Sequence, residues 1–343
     1  MAEMARRIVL ASRPAGEPGA DNFRLEEAAV AQPASGEVLL RTLWLSLDPY
    51  MRGRMSDAPS YAAPVQIGQV MEGRALSEVI ASQAEGFAKG DLVFGNTGWQ
   101  THAVAGGKSL RKLDRVAGVP LPAYLGVLGM PGMTAYSGLL EIGKPQQGET
   151  VVVAAASGAV GQIVGQIARI KGARAIGIAG GAEKCRFVKE ELGFDDCVDH
   201  RAPDLPGRLK QACPKGIDVY FENVSGPVFE AVFPLLNFFA RVPVCGLISQ
   251  YNATEPPKGA LQVSQLMRAV LTKRLNLRGF IVSDFAALAD DFRRDVSAWV
   301  RAGKIKHREF VIEGLENAPG GLIGLLRGEN FGKTVVRVAG DAA

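Results

Sequence analysis

Histidine and cysteine are scarce in this 343-residue chain, which holds 3 of the first and 4 of the second. Cys185, Cys197, Cys213 and Cys245 show no metal-type pair spacing and no secretory context, so they read as reduced thiols, mainly buried or half-buried. Long apolar runs are also missing. No segment has the length and purity of a membrane span, and the stretch Met1 to Arg7 lacks the apolar core of a signal peptide, so a cytoplasmic protein is expected. Charge of one sign is not in excess: 39 basic residues face 35 acidic ones for a net +4, without a long basic run. That balance argues against nucleic acid or a membrane surface as partner and leaves room for small anionic ligands. Repeats and low-complexity tracts are absent. With 47% hydrophobic residues the chain is large enough for two domains, each with its own core.

Two patterns divide it. Up to about Leu113 the chain runs in short β-rich stretches broken by Gly, Pro, Asp and Asn: Ile8 to Ser12, Glu37 to Leu47, Gln66 to Val70, Gly73 to Ile80, Asp91 to Phe94 and Thr101 to Val104. A mostly antiparallel, barrel-like domain is predicted. After about Pro122, helical patterns alternate with apolar strands near Thr150 to Ala155, Arg174 to Ala179, Cys197 to Asp199, Ile217 to Glu222, Arg241 to Leu247 and Asn276 to Ile281. This is the signature of a parallel sheet with helices on both faces. Phe285 to Ala302 reads as a long amphipathic helix, and Phe310 to Ile312 with Lys333 to Val338 return to β character, rejoining the first domain. The resulting division is 1–122, completed by 303–343, and 123–302.

The stretch Ala155 to Gly161 follows an apolar strand and opens a helical pattern in which Val160, Ile163, Val164, Ile167 and Ala168 share one face. Small residues at Ala156, Gly158 and Gly161 permit a tight turn, let backbone N–H groups meet a pyrophosphate, and pack the helix close to the strand. An NAD-binding unit would place Asp or Glu at the end of the next strand to bond the ribose 2′-hydroxyl. Here Gly180 and Gly181 stand there, with Lys184 just beyond and Arg201 after the following strand. A neutral-to-basic pocket suits the 2′-phosphate of NADPH/NADP⁺. Lys184 in a first helical turn opposes the helix dipole, which asks for a reason such as a phosphate; the alternative is a solvated charge.

At this point the residues resemble the medium-chain dehydrogenase/reductase superfamily over essentially the whole chain. Leu45-Ser46-Leu47-Asp48-Pro49-Tyr50-Met51-Arg52-Gly53-Arg54-Met55 is similar to the signature of its prostaglandin reductase, leukotriene hydroxydehydrogenase and alkenal double-bond reductase branch, which includes bacterial curcumin-reductase-like proteins. Gly129 to Tyr136, Phe221 to Val224, Gly279 to Val282 and Glu313 to Pro319 are further matches. The resemblance implies an α/β protein with a GroES-like β-barrel domain and a Rossmann domain. It implies NADPH-dependent reduction of the C=C bond of an α,β-unsaturated ketone or aldehyde, without zinc. The Gly-His-Glu ligand motif of the zinc enzymes is missing, with Gly68-Gln69-Val70-Met71-Glu72-Gly73 about where it would lie, so no metal site is expected.

Carried over residue by residue, the resemblance places Gly158, Ala159, Val160 and Gly161 at the pyrophosphate, and Gly180 and Lys184 at the 2′-phosphate. His200 stands beside that phosphate where relatives commonly carry tyrosine, and otherwise is a polar loop residue. Asn223, Cys245, Ser249, Tyr251, Phe280 and Val282 fall on the ribose or nicotinamide side; for Asn223 a simple turn role is the alternative. Met133 and Thr134 run along the cofactor, unless that segment serves packing. Asn330 resembles a cofactor contact and otherwise is a turn residue. Tyr251 matches the active-site tyrosine, able to hydrogen-bond a developing enolate or a ribose hydroxyl, or else to act as an aromatic lid. Tyr50, Arg52 and Tyr61 are the substrate-side candidates, with Arg52 equally suited to brace the domain through an ion pair. A homodimer, formed by sheet extension along Asn276 to Ile281, is expected from the resemblance. Two other readings remain open: a zinc-free NADPH quinone oxidoreductase, and a non-catalytic NADPH-binding redox sensor.

Overall fold

The computed structural model describes residues 4–255 and 261–340. In chain order its strands are β1 (Met4–Leu10), β2 (Phe23–Ala29), β3 (Glu37–Ser46), β4 (Ala75–Ser82), β5 (Leu92–Gly95), β6 (His102–Gly106), β7 (Arg111–Lys112), β8 (Thr150–Ala154), β9 (Arg174–Ala179), β10 (Asp196–Asp199), β11 (Ile217–Phe221), β12 (Leu236–Val244), β13 (Asn276–Gly279), β14 (Glu309–Glu313) and β15 (Lys333–Arg337). The helices are α1 (Met51–Arg54), α2 (Met130–Ser137), α3 (Gly161–Ile170), α4 (Ala182–Arg186), α5 (Leu205–Ala212), α6 (Gly226–Val232), α7 (Val263–Lys273), α8 (Ala289–Arg301) and α9 (Ala318–Leu326). The chain divides into two compact units, one running to Leu125 and resuming at Glu309, the other Gly126–Arg308. Among the described residues no helix is long and apolar enough to cross a membrane.

The first unit holds a seven-stranded sheet in the order β14-β15-β3-β4-β5-β7, with β6 also paired to β3, and a two-stranded sheet of β1 and β2. All its pairings are antiparallel except β14 with β15. One expected strand is absent and one strand is unforeseen. Gln66 to Val70 is a turn with Gly68 at φ +84°, joined to β1 by a bridge between Val70 and Val9 and by the Gly68 N–H donating to the Leu10 carbonyl at 2.7 Å. Phe23 to Ala29, with its charged Arg24, Glu26 and Glu27, shows no clean alternation, yet it forms β2 because β1 supplies a full antiparallel partner. Across this unit Lys333, which begins β15 and is 1% exposed, donates to the Leu47 carbonyl at 2.5 Å and to Asp48 Oδ1 at 2.9 Å. Ser46 Oγ donates to the other Asp48 oxygen at 2.5 Å. This buried cluster anchors the start of β15 to the end of β3, just before Tyr50 and α1.

The second unit holds an all-parallel sheet in the order β10-β9-β8-β11-β12-β13. The order reverses between β8 and β11, the switch point at which such sheets bind ligands beyond their carboxyl ends. Helix α3 forms as its pattern requires: Ile163, Val164, Ile167 and Ala168 are fully buried against the sheet. On its other side Gln162 and Gln166, one turn apart, use their amides as a backbone would. Gln166 donates to the Lys306 carbonyl at 2.7 Å and accepts from the Lys306 N–H at 2.8 Å, while Gln162 accepts from the Arg308 N–H at 3.1 Å. Strand β12 starts at Leu236, five residues before the expected Arg241, and ends at Val244. The helix expected from Phe285 starts at Ala289; a 3-10 segment, Val282–Leu288, precedes it, with Phe285 off helical geometry at φ −111°, ψ 24°.

Candidate functional site

The turn after β8 takes its shape from Ala155, which sits at φ +50°, and from Gly161, where an added Cβ would lie 2.2 Å from the Ala155 carbonyl oxygen. Only glycine lets α3 begin so close to the strand. Ala156, Ser157 and Gly161 are buried, whereas Gly158, Ala159 and Val160 keep partial exposure. The open part of the turn is thus the three-residue stretch that the sequence assigns to an anion.

At the end of β9 the same spatial logic applies to charge. A Cβ on Gly180 would stand 2.8 Å from His200 Nε2 and 3.0 Å from Arg201 Nε, so both basic side chains lie directly against the glycine. The Lys184 ammonium is pushed down by burial and then by the nearby Arg201 charge. His200 is likewise pushed down, by burial first and then by Arg201 and Lys184. Because the Arg201 charge acts on both Lys184 and His200, the three basic side chains share one volume. A neighbouring carboxylate, Asp199, accepts the backbone N–H groups of Gly181 at 2.7 Å and Arg201 at 2.9 Å. Burial pushes this carboxyl up, but those two bonds prevail and hold it below its ordinary range. The result is a basic cluster whose neighbouring acid is engaged by backbone amides, the chemistry that suits an anion.

The carboxyl ends of β11 and β12 gather the next group. Asn223 donates its side-chain amide to the Ala154 carbonyl at 2.8 Å, tying the end of β8 to that of β11 across the switch point. Ser249 Oγ donates to the Val224 carbonyl at 2.6 Å. The Tyr251 hydroxyl accepts from the Leu247 N–H at 3.4 Å and lies 3.1 Å from where a Gly246 Cβ would be. Tyr251 therefore turns its phenol back over the Cys245-Gly246 strand end, and Gly246 leaves room for it. The Cys245 thiol is pushed up to about 12 by burial and by Glu222, which removes it as a nucleophile at neutral pH.

Glu222 is a residue that the sequence pattern does not single out. Its carboxylate, 2% exposed, accepts the N–H groups of Val224 at 2.6 Å and Ser225 at 2.8 Å and the Tyr220 hydroxyl at 3.1 Å. Burial pushes the carboxyl up against the pull of those donors. It fixes the turn in which Ser225 takes φ +70°, directly beside Asn223. An acid at the end of an apolar strand was the available signal.

Other candidates serve packing as well. Thr134 donates to the Met130 carbonyl at 2.8 Å within α2, and the Met133 carbonyl accepts from Ser137 at 2.7 Å. Phe280 is buried edge-on to Phe221 at 6.3 Å and to Phe285 at 5.9 Å, and Val282 opens the 3-10 segment. In the first unit Asn330 donates to the Gly332 carbonyl at 2.8 Å. Arg52 is buried and donates to the Gly16 carbonyl at 2.8 Å, a bracing bond to backbone. Arg54, not singled out either, is 5% exposed, bonds Glu72 at 2.7 Å, and lies over the rings of Tyr50 at 5.5 Å and Tyr61 at 4.5 Å. Tyr50 is held protonated by burial and by the Asp48 and Glu72 charges, while Tyr61 is 61% exposed. Among the described residues no group of three or more His, Cys, Asp or Glu is placed to hold a metal ion.

A β-rich unit together with a unit built on a six-stranded parallel sheet, with a glycine turn at its switch point, defines the class of two-domain, nucleotide-dependent dehydrogenases and reductases. The chain belongs to the medium-chain dehydrogenase/reductase superfamily, in its zinc-independent branch of prostaglandin, alkenal and curcumin reductases. A family model described as the N-terminal domain of oxidoreductase matches residues 6–113, and one described as zinc-binding dehydrogenase matches 159–301. The chain is 57% identical to an NADPH-dependent curcumin reductase of Escherichia coli (strain K12) over 337 residues, 98% of this chain and 97% of that one. It is 39% identical over 339 residues to a 2-alkenal reductase (NADP(+)-dependent) of Nicotiana tabacum, covering 97% of each. Among solved structures, CurA from Vibrio vulnificus in complex with NADPH superposes with a TM-score of 0.93 at 54% identity, over 98% of this chain and 100% of that one.

Proposed function

We propose that this protein uses NADPH to reduce the carbon–carbon double bond of α,β-unsaturated ketones or aldehydes. The observation that carries the cofactor half is the cradle at Gly180, where Lys184, His200 and Arg201 converge and no side chain intervenes. An acid in place of Gly180 would collide with His200 and repel a 2′-phosphate; glycine accepts it. Support for the reaction half comes from the relatives' names, which pair NADP with curcumin and with 2-alkenals.

In this reading Gly158, Ala159 and Val160 offer backbone N–H groups to the pyrophosphate, with Gly161 setting the helix close behind. Asn223 and Glu222 hold the strand ends rigid, and Cys245, Ser249, Met133, Thr134, Phe280 and Val282 form the surrounding wall of this unit. When bound, NADPH supplies the hydride that reaches the substrate β-carbon. Tyr251 presents its hydroxyl at the strand ends, where it donates to the oxygen on which charge collects. On the first unit, Tyr50 and Tyr61 stacked on Arg54 present aromatic faces to an apolar substrate, and Arg52 braces that segment through Gly16.

We further infer a homodimer joined along β13. This edge strand exposes Asn276, Arg278 and Gly279, and Phe238 and Phe239, 63% and 60% exposed, sit under Arg274 nearby in the same unit. Sedimentation at twice the 36.4 kDa chain mass supports pairing, and a single-chain mass rejects it. The free cysteines are in keeping with a reducing compartment such as the cytoplasm. Lys184→Ala tests the cofactor assignment: the KM for NADPH rises roughly tenfold or more while that for NADH stays nearly constant. Equal weakening of both removes Lys184 from the 2′-phosphate.

A further inference from the structure

Two cysteines that play no part in the proposed reaction lie directly behind the cationic cradle. Cys185 in α4 and Cys197 in β10 bring their sulfurs to 3.1 Å, with the Cys197 S–H donating to Cys185. Both are free thiols. A disulfide needs a separation of about 2.05 Å, so closing the pair asks for a movement of only about 1 Å. The hydrogen bond from Cys197 pulls the Cys185 thiol down, so Cys185 is the more readily ionised of the two. Cys185 keeps a small open edge at 8% exposure, and Cys197 is half-buried. The other two cysteines differ: burial pushes the thiols of Cys213 and Cys245 up to about 12.

Position gives the pair its consequence. Cys185 is the neighbour of Lys184 in α4, and Cys197 precedes Asp199 and His200 on β10. Asp199 in turn holds the backbone of Gly181 and Arg201. A bond between the two sulfurs therefore draws one wall of the cradle against the other and shifts the three basic groups relative to one another.

We propose that Cys185 and Cys197 form a reversible dithiol–disulfide site, oxidised by a peroxide, whose closure weakens binding of the 2′-phosphate cofactor. In the first step the Cys185 thiol ionises, releasing its proton to solvent; its sulfur attacks a peroxide oxygen, the O–O bond breaks, and the departing hydroxide takes up a proton from solvent as water, leaving a sulfenic acid. In the second, the Cys197 sulfur attacks that sulfur, the S–O bond breaks, and the hydroxyl leaves with the Cys197 proton as a second water. Two thiols lose two electrons, and the peroxide is reduced to water. A dithiol reductant reverses the bond by exchange.

The effect on the cofactor rests on the NADPH assignment above, whereas the thiol chemistry does not. The experiment treats the reduced, full-length protein with hydrogen peroxide, counts free thiols, maps cross-linked peptides by mass, and measures KM for NADPH and NADH before and after. The expected result is loss of two of the four thiols, a Cys185–Cys197 peptide, and a rise of about tenfold in KM for NADPH with KM for NADH little changed. Dithiothreitol restores the starting values, and Cys185→Ser keeps its NADPH affinity under peroxide. Four surviving thiols, a different cross-linked pair, or a Cys185–Cys197 bond that leaves the NADPH-to-NADH ratio unchanged each overturn the proposal. The preference of the reduced enzyme for NADPH over NADH reads the cofactor assignment on its own, so failure of that assignment and failure of the dithiol are told apart.

Discussion

At the scale of single residues, the cradle around Gly180 turns on His200. Burial and two neighbouring cations hold its imidazolium form down, so the free protein carries it neutral at neutral pH. On the proposed placement beside His200, a 2′-phosphate would oppose that shift and raise the histidine's pKa in the complex. The sign follows by linkage: the extra affinity is complete below the pKa of the free protein and disappears as pH rises through the pKa of the complex. Binding of NADPH therefore tightens as pH falls from about 8 to about 5.5, and His200→Phe flattens this dependence. The phosphate's own titration is common to both proteins, so superimposed profiles would exclude His200 from the site. Tyr251→Phe bears on the chemistry: kcat drops roughly a hundredfold if the hydroxyl stabilises the developing charge, and an unchanged kcat removes Tyr251 from the reaction. The tight turn at Gly161 and the basic surroundings of Gly180 are legible in the sequence, because glycine spacing and the absence of an acid are local signals. Glu222 and Arg54 are not, because their importance lies in partners such as Ser225 and Tyr61 that only the folded chain brings near.

Among the elements, the sheet containing β8 and β11 followed directly from its apolar runs, since a strand buried on both faces advertises itself. Strand β2 did not, because Arg24, Glu26 and Glu27 mask the alternation and pairing with β1 decides the outcome. The stretch Gln66 to Val70 differs for another reason: the turn at Gly68 limits its pairing with β1 to a bridge at Val70 and a few backbone bonds. The link from β15 to β3 gives a quantitative test. Lys333 and Asp48 are both nearly inaccessible, and burial pushes the Lys333 ammonium down while Asp48 opposes that shift. Lys333→Met strands the Asp48 carboxylate, costing about 3–5 kcal/mol in denaturant unfolding. Adding Asp48→Asn recovers a good part of it, because no unpaired charge then remains buried. A single variant as stable as wild type contradicts the pairing.

For the whole molecule, the assignment of a C=C reductase is tested by the fate of the hydride. An enone and a quinone are offered side by side with NADPH deuterated at the transferred position, and the products are read by NMR and mass. The account predicts rapid turnover of the enone to the saturated ketone with one deuterium on the former β-carbon. Deuterium on the carbonyl carbon of an allylic alcohol, or turnover confined to the quinone, would contradict it.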